Sequence, residues 1–240
     1  MPDGHAFAFA QAHDEERFLS ALFAPARVRP HLLSLYAFNA ELARIGQATR
    51  EPLIGTMRLA WWRGTLETIG TGVMRPHPLM PELAKAIGAG RLPLALFDAM
   101  IAARHFDVTG ETQADWEAFA HHADGSAGNL LRLSARLFGI EADDHPAIRT
   151  AAIAGALIGC WRNHRAGIPG AARFLPEPGD APARAQEQLR LLASQWEGRL
   201  RPALPAFLPV SLHRLALMRR EVSSWRRLGA LAGAVLRGRP

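Results

Sequence analysis

Apolar residues recur at spacings of three and four along almost the whole chain, and no segment alternates convincingly as a strand. That periodicity confines the fold to packed helices. Proline and glycine then divide the helical text. Asp14–Phe23 reads as one helix. Pro30–Ala48 reads as a second, with Pro30 in its first turn and Leu32, Leu33, Tyr36, Ala37, Ala40 and Ala43 along one side. Pro52–Ile69, carrying Trp61 and Trp62, is broken by the stretch 70–81. Pro81–Ala89, Pro93–Ala103 and Thr112–Phe138 follow, the last interrupted by Gly125 and Gly128, and Pro146–Arg165 is another long helix. Gly167–Pro182, rich in proline and glycine, reads as a loop, and Ala183–Leu200 and Ser211–Leu228 close the series. The 240 residues suit one core, with no linker long enough to divide it. The expectation is an all-α body over 1–210 and a basic amphipathic segment over 211–240 docked on the same domain.

The net charge of +6 suggests a nucleic-acid partner until its location is read. Nine arginines and one acid, Glu221, lie between Arg199 and Pro240, whereas the preceding residues carry 19 basic and 21 acidic side chains. A nucleic-acid binder spreads cations and aromatics over a face of its fold. This near-neutral body does not, so no nucleic-acid partner is expected. In the tail, Leu212, Leu215, Met218, Val222, Trp225 and Leu228 fall on one side, which suits packing onto the body. The apolar Leu228, Leu231, Val235 and Leu236 lie between the arginine pairs Arg226-Arg227 and Arg237/Arg239, a pattern suited to an anionic membrane surface. No stretch approaches 18 uncharged apolar residues, and the first residues do not read as a signal peptide. The expected location is the cytoplasm, at most peripheral on the inner membrane. A lone cysteine, Cys160, excludes an intramolecular disulfide framework and reads as a small buried apolar residue.

Three places could carry chemistry. On the second helix Tyr36, Asn39 and Glu41 interrupt an otherwise apolar run; Asn39 and Glu41 either face water at a helix boundary or line a site. Further on, Glu117, His121 and Asp124 share a helix face as metal ligands would, but no fourth ligand is visible nearby and no metal is expected. Beside them His122 precedes Gly125, Ser126 and Gly128, small residues that let a neighbouring helix or a ligand approach. The third place is Arg162, Asn163 and His164, with Arg173 beyond. It is either an ordinary basic helix C-terminus or the polar end of a buried site.

In this order the three places resemble the squalene/phytoene synthase family, the head-to-head prenyl synthases of the isoprenoid-synthase fold. Arg29, Pro30, Tyr36, Ala37 and Phe38 are in register with the family's first segment. Phe119 to Gly128 resembles its Ala-Gly-Ser-Val-Gly segment, and Arg162-Asn163 with Arg173-Phe174-Leu175-Pro176 resembles its closing one. His77-Pro78 and Arg104…Asp107 fall where the family has similar residues. The resemblance covers about residues 14–180 and implies a helical bundle around a central apolar cavity. It is closest to the non-catalytic branch that contains the mitochondrial complex I assembly factor and its bacterial relatives. That branch shares Asn39, Glu41, Leu42 and Ala43, then Ile54-Gly55, Met57-Arg58 and Trp62, and a final helix like Leu215–Arg226.

The departures carry the functional expectation. Active members hold Mg²⁺ between two aspartate-rich helix faces. The matching positions here are Ala43, Arg44 and Gln47, then Asn163, Ala166 and Gly167, none of them a carboxylate. Hard divalent cations need anionic oxygen ligands. The expectation is therefore a protein with no catalytic residue and no cofactor, Mg²⁺ returning only under the alternative of a diverged farnesyl or geranylgeranyl diphosphate transferase. It would bind an isoprenoid or lipid, or a respiratory-complex subunit, through a cavity drawn from Tyr36, Asn39, Glu41, Arg58, His121, His122, Arg162, Asn163, His164 and Arg173. A second hypothesis is altered acid–base chemistry by Glu41, His121, His122 or His164.

Overall fold

One of the two longest helices, α3 (Arg29–Ala48), is apolar on nearly every side, so it can be stable only when surrounded. The computed structural model describes residues 4–48, 51–69, 71, 75–218 and 223–240, and among these all regular structure is helical. Before α3 lie α1 (His5–His13) and α2 (Glu15–Ala21); after it come α4 (Pro52–Leu66), α5 (Met80–Gly90), α6 (Leu94–Ala103) and the short α7 (His105–Thr109). Next are α8 (Trp116–Ala123), a π-helical turn (Asp124–Gly128), α9 (Asn129–Leu137) and α10 (Pro146–Arg165). A 3₁₀ turn (Ala171–Phe174), α11 (Ala181–Gln195), a second 3₁₀ turn (Gly198–Ala203), α12 (Leu204–Phe207), α13 (Pro209–Met218) and α14 (Ser224–Arg237) complete the order.

Helix starts follow side chains that satisfy orphan backbone donors. Asp14 accepts from the Arg17 amide (3.3 Å) and Asp115 from that of Ala118 (2.8 Å). The second cap explains why the helix expected from Thr112 begins only at Trp116. Two apolar clusters form around the two longest helices. One joins α1, α3, α5 and α6, with Phe38 edge-on to Trp62 (5.2 Å between centroids) and to Phe97 (5.4 Å). The other joins α10, α11 and α12 through Ile148, Leu157, Leu189, Leu192 and Phe207. Phe138 touches both.

Several expected boundaries are corrected. α1 lies in a stretch not read as helical, and the loop expected over 167–182 contains the 3₁₀ turn and the start of α11. The single helix expected over Ser211–Leu228 is two, α13 and α14, with 219–222 outside the described residues. Val222 lies among those, and Trp225, placed inward by one continuous period, is 83% exposed. α14 instead buries Leu231 and Ala234 against Leu204, Leu208 and Leu212.

Candidate functional site

Between α3 and α10 lies a cavity of about 840 Å³. Its depth is apolar, with buried Phe119, Leu130, Ala151, Ala152, Ala206 and Val210. Its mouth is marked by exposed lining residues: Arg44 and Gln47 on the last turns of α3, Asn163 near the end of α10, and Ile168 beyond it. Of the ten residues expected to line the cavity, Tyr36, Asn39, His122, Asn163 and Arg173 do. Glu41, Arg58, His121, Arg162 and His164 do not. Glu41 faces away from the cavity towards His77 (3.9 Å). Burial raises its carboxyl pKa, against the pull of His5, Arg44 and Arg58. His121 and His164 are exposed, and Arg162 donates to Glu16 outside the cavity (2.6 Å). Of the six positions that the resemblance sets against the family's metal ligands, Ala43, Arg44, Gln47 and Asn163 line the cavity, whereas Ala166 and Gly167 are exposed outside it.

The π-helical turn between α8 and α9 shapes one wall. The hydroxyl of Ser126 donates to the His122 carbonyl (2.8 Å), and the Asn129 side-chain amide to that of Gly125 (2.9 Å), absorbing the widened ladder. A Cβ at Gly128 would overlap Asp124 Oδ1, so glycine leaves room for Arg132 to donate to that carboxylate (2.8 Å). Asp124 thus answers Arg132, with Arg149 at 3.7 Å, rather than joining Glu117 and His121.

Polar groups converge on Asp107, a buried residue of α7. Arg104 donates to its Oδ2 (2.9 Å) and to Asn39 Oδ1 (3.0 Å). His122 Nε2 stands 3.4 Å from Oδ1. Burial lowers the His122 pKa against the pull of Asp107, which leaves the imidazole more often neutral. Arg173 secures α7 from outside, donating to the carbonyls of Asp107 (2.7 Å), Glu111 (3.0 Å) and Phe106 (3.2 Å). The close seat of α7 on α3 depends on Gly46, where a Cβ would come within 2.8 Å of Asp107 Cβ and of its carbonyl oxygen.

A second polar group lies on the α2 side. Arg17 donates to Asp14 Oδ2 (2.7 Å), and His213 of α13 stands 3.7 Å from Glu16. Burial lowers the His213 pKa to about 4, so this imidazole is neutral at pH 7. Burial pushes the Tyr36 hydroxyl upward and the Cys160 thiol up to about 12, so neither supplies an anion at neutral pH. Asp14, Arg17 and His213 were not singled out from sequence. Asp14 and Arg17 show the spacing of a helix-start ion pair, but nothing local marks His213.

The sequence profile of the squalene/phytoene synthase family matches residues 10–167. Over 139 residues the chain is 27% identical to "NADH dehydrogenase (ubiquinone) complex I, assembly factor 6" of Homo sapiens, and equally to that of Bos taurus. The match takes in 58% of this chain and 42% of those proteins, so the chain spans less than half the length of the curated relatives it matches. Among solved structures, a dehydrosqualene synthase in complex with ligand superposes with a TM-score of 0.72 at 14% identity, covering 95% of this chain and 93% of that one. Squalene synthase HpnC from Alicyclobacillus acidocaldarius superposes with a TM-score of 0.68 at 21% identity, covering 98% and 94%. At these identities the likeness is one of fold, the isoprenoid-synthase bundle around a cavity. With that fold, and with the profile matched over more than half of its length, the chain belongs to the squalene/phytoene synthase family.

Proposed function

We propose that this chain is a non-catalytic member of its family, a lipid- or protein-binding factor that works in the assembly of respiratory complex I at the inner side of an energy-transducing membrane. The observation that carries the reading is the donor set at the cavity. Magnesium takes oxygen ligands in near-octahedral array and is held on a protein by at least one or two carboxylates free to bind it. Ala43, Arg44, Gln47 and Asn163 supply none. Among the described residues, the carboxylates that line the cavity are Asp14 and Asp107, each bound by an arginine. These residues do not fit Mg²⁺, so no ionisation of a diphosphate is routed through such an ion.

The named relatives, complex I assembly factor 6 of human and cattle, support the assembly role, and the apolar depth of the cavity supports a lipid ligand. Among the described residues no helix is long and apolar enough to cross a membrane, which is compatible with a peripheral position. The alternative, a diverged head-to-head prenyl transferase, is favoured by the size of the cavity and by the cations Arg44, Arg104 and Arg173 along it. Incubation with farnesyl or geranylgeranyl diphosphate and Mg²⁺ separates the readings. The binding role predicts no condensation product and a melting temperature indifferent to Mg²⁺ or a chelator. Metal-dependent turnover refutes it.

A further inference from the structure

α14 buries one face, and among the described residues no element covers the other. Its inner residues, Leu231 and Ala234, are fully buried in the body. On the outer side Trp225, Gly229, Ala232 and Leu236 follow one another at i, i+4, i+7 and i+11, one stripe along the helix. Trp225 is 83% exposed and Leu236 is 85% exposed, a large hydrophobic anchor at each end of the stripe. They stand about 16 Å apart along the axis, with only small side chains between them.

Within the helix and the residues that follow it, the side-chain charge is all positive. From Ser223 to Pro240 there are four arginines and no acid. Arg227 is turned inward to Glu15 (2.6 Å), whereas Arg226, Arg237 and Arg239 are exposed and, among the described residues, unpaired by any carboxylate. Arg201 passes directly over Gly238. Arg214 lies near enough to Arg237 and Arg239 for both, after burial, to lower its pKa. A folded protein gathers like charges in this way only against an energetic cost, which an anionic partner removes.

We propose that the outer face of α14 is a docking surface for an anionic lipid bilayer, with Trp225 and Leu236 inserted at the headgroup level and Arg226, Arg237 and Arg239 on lipid phosphates. The geometry favours a bilayer over a protein partner or a second copy. The stripe is about 21 Å long and about 10 Å wide, on the order of 200 Å², against about 800 Å² per partner in a stable protein interface. A bilayer needs no matching shape. It accepts an aromatic ring at the interface and gains from each arginine near its surface. A second exposed apolar stripe, Leu53 and Met57 on α4, lacks this setting: Glu51 and Glu67 flank its helix. The proposal also corrects the sequence expectation, in which Leu231 was among the residues facing lipid. It stands independently of what fills the cavity.

Co-sedimentation of the full chain with vesicles tests it, comparing phosphatidylcholine alone with mixtures containing phosphatidylglycerol or cardiolipin. The chain is expected to sediment with the anionic vesicles only, and less as salt rises. Paired substitution of Trp225→Ser and Leu236→Ser should weaken binding by about tenfold or more. Arg226→Gln and Arg239→Gln should each weaken it by about fivefold. All four side chains are exposed, so these variants should melt with the parent protein. The pair Leu53→Ser and Met57→Ser should bind as the parent does. Equal binding to neutral vesicles, no binding to anionic ones, or α14 variants that bind undiminished would overturn the proposal. So would a loss confined to the α4 pair, or lipid-free self-association abolished by Trp225→Ser.

Discussion

His213 gives the fold a measurable sensitivity to acid. The imidazole is mostly buried, with Glu16 3.7 Å away and the cations Arg17 and Arg162 also acting on it, and its pKa falls from an ordinary 6.5 to about 4. A histidine held neutral in the folded state still takes up its proton in the unfolded chain. Its contribution is therefore fully present above pH 6.5 and is lost progressively as the pH falls towards 4. At pH 5 the unfolded chain is almost fully protonated at this site while the folded protein is not, a difference of about 2 kcal/mol from this group alone. For a domain of this size that lowers the melting temperature by about 4–8 °C between pH 7 and pH 5. His213→Gln retains a polar side chain but cannot titrate, so urea unfolding of the variant should lose about 2 kcal/mol less than the parent over the same interval. The depressed pKa of His122 acts in the same direction and remains in both proteins. A variant whose stability falls with pH as steeply as the parent's would show that His213 is protonated in the folded state, and the argument would fail.

Three further substitutions probe the elements that position the cavity. Asp107→Asn leaves Arg104 in a buried site without a carboxylate and should cost about 3–5 kcal/mol, read from chemical denaturation. Gly46→Ala places a methyl within 2.8 Å of the Asp107 carbonyl, and a backbone obstacle cannot rotate away. The usual helical gain of alanine over glycine, about 1 kcal/mol, should be outweighed by overpacking of about 1–3 kcal/mol, giving a lower melting temperature. Leu231→Ala removes a fully buried side chain that seats α14 and should cost about 2–5 kcal/mol, with faster proteolysis of that helix before global unfolding.

Much of the fold is legible in sequence because helical periodicity and proline and glycine punctuation act locally. α3 and α10 are bounded by such signals, and the interruption at Gly125 and Gly128 appears as the π-helical turn. Failures occur where no local residue marks the event. α1 reads Ala6-Phe7-Ala8-Phe9-Ala10, apolar on every side, and buries only Ala6 and Ala10, so it presents little period to detect. Between Met218 and Ser224 neither glycine nor proline signals a helix end. A period read from sequence therefore runs on to Leu228, whereas Ser223 is extended (φ −62°, ψ 151°) and interrupts it. A break resets the rotational phase, and this is why Trp225 faces outward while Leu231 faces in.

The site divides along the same line. That six positions lack carboxylates is visible as residue identity, and so is the polar trio on α3, but direction is not. Asn39 and Glu41 are two residues apart on one helix and so point about 160° apart. Asn39 accepts from Arg104 at the cavity, whereas Glu41 looks out towards His77. A list of polar residues on a buried helix thus mixes two opposite faces until the neighbouring helices are placed. His213 is the extreme case. It lies far along the chain from Glu16 and reaches the cavity only because α13 packs on α2 and α10, with Gly155 leaving space where a Cβ would stand 2.9 Å from the imidazole. Its depressed pKa belongs to that packing rather than to any motif, and so the cavity's pH response can be read only from the assembled helices.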